Sequence, residues 1–111
     1  MSVTVKVLIP AKTAENAQTT QYTATGVTTI IDKFTATNYS ANAATISVNL
    51  VTSADTAGNQ NLIVKTKTLQ ATESYTFPEL VGHVLAPGGS ISTIAGTASA
   101  INIRASGREV T

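Results

Sequence analysis

The sequence predicts an all-β domain: a two-sheet β-sandwich or jelly-roll-like fold of seven to eight short antiparallel strands. Three observations predict it. Polar and apolar residues alternate over much of the chain, most clearly in Ala44–Thr52, where Ile46, Val48 and Leu50 fall on one side of an extended backbone and Thr45, Ser47 and Asn49 on the other. The chain is rich in Thr, whose branched Cβ suits a pleated surface. Turn-forming clusters of Gly, Pro, Asn, Asp and Ser separate the alternating segments.

The elements follow in order. Val3, Val5 and Val7 alternate with Thr4 and Lys6 in a first strand that Pro10 is expected to stop. Residues 11–20 are polar and aperiodic, so residues 1–20 read as an N-terminal strand and polar arm, and residues 21–111 as the sandwich of a single domain. Gln21–Thr25 is a short strand closed by Gly26. In Thr28–Tyr39, Ile31, Lys33, Thr35, Thr37 and Tyr39 share one side while Ile30, Asp32, Phe34, Ala36 and Asn38 share the other. Neither side is uniformly apolar, which predicts a bulge.

Ser40–Ala43 turns into the strand Ala44–Thr52. Ser53–Asn61 holds turn formers and little to bury, so it reads as an exposed loop tip. Leu62–Leu69 places Leu62 and Val64 on one face and Ile63, Lys65 and Lys67 on the other. Thr72–Phe77 places Tyr75 and Phe77 together. Pro78–Val81 predicts one short helical turn, because Pro suits the first helical position, Glu79 the positive end and Gly82 the stop. Pro87-Gly88-Gly89 is a turn, and Ser90–Ala95 and Ala100–Ala105 alternate again, joined through Gly96. No fixed-period repeat is present, which argues against a solenoid or propeller.

The chain of 111 residues suits one domain and can bury roughly two-thirds of its unfolded surface. Charged residues are 12% of it and the net charge is +1, so it exerts little pull on phosphate and no nucleic-acid partner is expected. Lys65 and Lys67 read as a solvated strand face that blunts aggregation. Without cysteine there is no disulfide, thiolate nucleophile or Cys-based metal site. No run approaches the ~18 apolar residues of a membrane helix. The N-terminus lacks a basic segment followed by an unbroken apolar one, so synthesis in the cytoplasm without a secretory signal is expected.

Motifs for chemistry are sparse. His83 is the lone histidine, and Glu15, Asp32, Asp55, Glu73, Glu79 and Glu109 are scattered. The strained Gly-x-Ser-x-Gly elbow is missing. Gly88-Gly89-Ser90 lacks the Lys and helix of a phosphate loop, and Asp55–Asn59 misses the calcium-loop spacing. Asn38-Tyr39-Ser40 is formally a glycosylation sequon. No catalytic residue, metal, cofactor or small-molecule substrate is therefore expected. Phe34 and Phe77 read as core. Tyr22 and Tyr39 read as exposed rings, the minimum for a sugar-stacking site.

From about Thr28 onward the chain resembles small virion proteins of tailed bacteriophages. The resemblance rests on Leu69–Phe77 leading into Pro78-Glu79-Leu80-Val81-Gly82, then Leu85-Ala86-Pro87-Gly88-Gly89-Ser90-Ile91-Ser92, and the close at Ile103-Arg104-Ala105-Ser106-Gly107. In length and texture it is most similar to the capsid decoration (staple or cement) proteins of short-tailed phages similar to epsilon-15. That resemblance implies a non-enzymatic β-sandwich or jelly roll, a homodimer, seated on the outer surface of the virion's icosahedral head. It would clamp neighbouring copies of the major capsid protein. For the contact, the loop tip offers Asp55, Asn59 and Asn61, the polar arm offers Lys12, and Tyr22 and Tyr39 add rings. The alternative is a carbohydrate-binding or host-attachment β-module of a phage, in a tail or fibre.

Overall fold

Alternation on this scale builds two antiparallel sheets in the computed structural model, which describes residues 2–111. The strands are β1 (Val3–Thr13), β2 (Thr19–Thr23), β3 (Thr28–Asn38), β4 (Ala44–Val51), β5 (Leu62–Leu69), β6 (Ser74–Tyr75), β7 (Val84–Leu85), β8 (Ser90–Ala95) and β9 (Ile101–Val110). The first sheet has the order β1-β9-β3-β6, with β7 also pairing β3. The second has the order β2-β8-β4-β5. The expected sandwich is thus present, with two very short strands beyond the longer ones.

One apolar core lies between the sheets. β9 supplies Ile101, Ile103 and Ala105, and β3 supplies Ile31, Phe34 and Ala36. Ile46, Val48 and Ile91 meet them from the second sheet. Phe77 sinks between, its ring edge-on to Phe34 at 5.0 Å and to Tyr75 at 4.7 Å between centroids. Each fully buried ring of this kind stabilises by about 1.5–3 kcal/mol through apolar burial alone.

The bulge expected in β3 falls between Ile31 and Lys33. It leaves Asp32 and Lys33 in solvent while Ile31 and Phe34 stay in the core.

Elsewhere local signals were overridden. Pro10 does not stop β1, which continues to Thr13. β1 is an edge strand, and its register slips between Val7 and Ile9 and again between Ile9 and Lys12. Within that irregular stretch Pro10 has no ladder bond to donate. Residues 11–13 therefore belong to a strand, and Ala14 follows them into the core, its N–H bonded to the Ile101 carbonyl at 2.8 Å. At Pro78–Val81 the chain makes hydrogen-bonded turns in place of a helical one. Leu80 N–H donates to the Phe77 carbonyl (3.0 Å), His83 N–H to Leu80 (3.2 Å), and Gly82 N–H crosses to Ile31 (2.7 Å). Burial of both Phe77 and Leu80, with Phe77 at φ 40°, decides the path. The helical turn that does form is a 3₁₀ turn at Asn59–Asn61.

Thr66, at φ 47°, adds a bulge to β5 and separates the two lysines expected on one face. Lys65 stays exposed, whereas Lys67 turns to the core side and lies over the Tyr75 ring at 4.5 Å. β9 extends past Ala105 because residue 107 is Gly. A Cβ there would overlap the Ile30 carbonyl oxygen and crowd Leu8.

Candidate functional site

The outer face of the first sheet is built by register. Thr13 of β1, Asn102 of β9, Thr37 of β3 and Ser74 of β6 lie opposite one another in a single row. The Thr13 hydroxyl donates to Asn102 Oδ1 at 2.9 Å, and the Thr37 and Ser74 hydroxyls share a bond of 2.9 Å. Tyr39, one residue beyond β3, stands half exposed (50%) at the end of this row, its hydroxyl 3.3 Å from that of Thr13. Thr35 and Arg104 form the adjoining row. The surface is broad and polar, and its charges are Arg104 and, in the next row opposite Ser106, the exposed Lys33.

The other end of the same face is apolar. Val5, Arg108, Ile30 and Val84 lie in one row across β1, β9, β3 and β7, with Val3, Val110 and Thr28 in another. Arg108 is neutralised by Asp32, to which Nη2 and Nε donate at 2.8 and 2.9 Å. The guanidinium hydrogen bonds hold the Asp32 carboxyl below its ordinary range.

The residues singled out from sequence have different fates. Tyr39 is exposed as expected. Tyr22 is not: its ring is buried, and its hydroxyl bonds to Thr29 (2.6 Å) and to the Glu109 carboxylate. Burial, then the neighbouring carboxylate, pushes the Tyr22 phenol up, and the same bond holds Glu109 down. Tyr22 is inward because the slip between Thr20 and Tyr22 in β2 sets it opposite core residue Ile91. Lys12 is engaged with Glu15 at 2.9 Å. With Gln21 donating as well, the Glu15 carboxyl is lowered from 4.5 to about 2.

Asp55 and Asn61 meet within the loop after β4. The Asp55 carboxylate accepts from the Thr56 N–H (2.8 Å) and from Asn61 Nδ2 (3.3 Å). Asn61 Oδ1 in turn accepts from Asn49 Nδ2 (2.7 Å) and the Gly58 N–H (3.1 Å). Asn59 is exposed at the loop's crest. Among the described residues no hydrogen bond links this loop to Lys12, Tyr22 or Tyr39.

Sequence reasoning missed Asn49 and Asn38. Asn49 sits on the polar side of β4 and is buried where the loop folds back to it and Gln18 reaches it from before β2. Asn38 is fully buried, and its amide donates to the Asn42 (2.8 Å) and Leu69 (3.0 Å) carbonyls, so the formal sequon is sealed in the core. A signal for Asn38 was available: it shares an alternation face with Phe34 and Ala36.

Two concavities flank the second sheet. One, about 340 Å³, is a polar groove under the loop, lined by Gln18, Thr20, Asp55, Thr56, Ser90 and Ser92. The other, about 320 Å³, is lined by Leu50, Ile63, His83, Leu85 and Pro87 among others, and no carboxylate faces His83 in it. Among the described residues no three His, Cys, Asp or Glu side chains gather to hold a metal, and no helix is long and apolar enough to cross a membrane. No family model, curated protein or solved structure matches the chain.

Proposed function

We propose that this chain is a virion structural protein that binds the outside of an icosahedral phage head and clamps neighbouring major capsid proteins. The observation that carries the proposal is the row Thr13–Asn102–Thr37–Ser74 with exposed Tyr39 at its end. A flat face of hydroxyls and amides is covered by another protein at lower desolvation cost than a charged one. Tyr39 adds the kind of aromatic anchor on which binding energy concentrates. Many copies, each spanning neighbouring subunits, multiply modest contacts into firm retention. Synthesis in the bacterial cytoplasm, followed by addition to the finished head, fits this role.

The test is co-sedimentation of the purified protein with undecorated heads. Tyr39→Ala is expected to lower head affinity by about tenfold or more, the order of an aromatic contact residue, while Lys65→Gln, exposed on β5 of the second sheet, leaves it unchanged. A second reading is favoured by the same tyrosine, since its ring beside Thr13 and Asn102 also suits stacking on a sugar. Glycan-array binding abolished by Tyr39→Ala, together with no retention on heads, would favour that reading.

A further inference from the structure

The N-terminal half of β1 is left bare. Ser2 and Thr111 exchange both backbone hydrogen bonds, at 3.1 and 2.9 Å. By antiparallel alternation Thr4 and Lys6 then also face β9, and the N–H and C=O groups of Val3, Val5 and Val7 point away from the sheet. No described residue pairs with that edge. The side chains of these three valines are exposed too, at 57%, 82% and 41%. Edge strands are ordinarily blunted by charge, proline or bulges. Here Pro10 and both register slips lie beyond the valines, and Lys6 is drawn back toward Glu109 at 3.2 Å.

We infer that this edge pairs with the same edge of a second copy of the chain, antiparallel about a two-fold axis at Val5. Self-complementarity selects the occupant. With Val5 opposite Val5 of the second copy, Val3 meets Val7 and Val7 meets Val3, so all three outward-facing residues of each copy form bonded pairs and their side chains share one face. In each copy the row of Val5 continues past Arg108, which Asp32 neutralises, to Ile30 and Val84. Charge points the same way. In this register Lys6 faces Thr4 of the second copy, whereas a shift of two residues sets Lys6 against Lys6 or leaves Val7 without a valine. The flanking charges, Lys6 with Glu109 and Arg108 with Asp32, are already neutralised within each copy. A short seam of this kind is of the small, weak interface class, below ~1,200 Å².

The inference stands independently of head binding, because it is read from the protein alone. Sedimentation velocity over a concentration series reaching several hundred micromolar is expected to show a monomer–dimer equilibrium. Val5→Lys sets two like charges face to face and is expected to weaken it at least tenfold. Val5 is so exposed that circular dichroism and thermal midpoint should not change, which separates lost pairing from lost folding. The chain has no cysteine, so Val5→Cys under mild oxidant is expected to form a disulfide-linked dimer faster than Val81→Cys, on a separate exposed turn. A wild-type chain that stays monomeric throughout, a Val5→Lys variant that dimerises like wild type, or Val5→Cys cross-linking no faster than Val81→Cys would each overturn it. A dimer that fails to bind heads would overturn the proposed function and leave this inference intact.

Discussion

Lys12 and Glu15 show how a single contact sets a measurable property. Glu15 titrates near 2 because Lys12 and then Gln21 donate to its carboxylate. Its pKa is depressed in the folded state, so its contribution to stability is present above the unfolded value of 4.5 and is lost as pH falls toward 2. Both side chains are more than a third exposed, which screens the pair to about 1 kcal/mol or less. Lys12→Met is expected to raise the Glu15 pKa part of the way to 4.5 in a carboxyl NMR titration; a wild-type value already near 4.5 would contradict this. Asn38 is the opposite case, neutral and sealed. Asn38→Ala strands the Leu69 and Asn42 carbonyls and is expected to cost about 2–3 kcal/mol in urea denaturation, the desolvation penalty of unpaired buried groups. A loss below 0.5 kcal/mol, on the order of a surface substitution, would show that water replaces the amide.

At the scale of elements, β3 and β9 are locked by close approach at Gly107. Gly107→Ala forces a Cβ into the Ile30 carbonyl and is expected to destabilise by about 1–3 kcal/mol, the overpacking range. Gly26→Ala meets no atom within 4 Å, so only its φ of 70° is strained, and a smaller loss of about 1 kcal/mol is expected. Equal losses in the two variants would remove the steric account. The loop after β4 depends on Asn61, and Asn61→Ala is expected to speed hydrogen exchange at the Gly58 amide without changing global stability much. Much of this was legible in the sequence. Alternation located β4, β5 and β8, and the mixed faces of Thr28–Tyr39 foretold the bulge after Ile31. What was not legible depended on partners distant in the chain. Pro10 is tolerated because β1 became an edge, Val84–Leu85 is a strand because β3 lies beside it, and Tyr22 turned inward because of a slip against β8. The turn at Pro78 followed Phe77 and Leu80 into the core against its own helical signals.

At the scale of the molecule, the first sheet presents a hydroxyl and amide field at one end and a valine edge at the other. Of the contact residues named from sequence, Tyr39 lies at the end of the first; Asp55, Asn61, Lys12 and Tyr22 lie off that row, each in hydrogen bonds of its own, and Asn59 is exposed on the loop after β4. Thr13, Asn102, Thr37 and Ser74 are far apart in the chain, and only strand register gathers them. The account holds that this field exists to be covered by another protein. The most direct measurement is the number of copies retained per undecorated head as free protein is raised. The account predicts a plateau at a fixed number set by icosahedral symmetry, with Tyr39→Ala needing at least about tenfold more protein to reach it. Retention that climbs without a plateau, or heads that sediment bare, would contradict it.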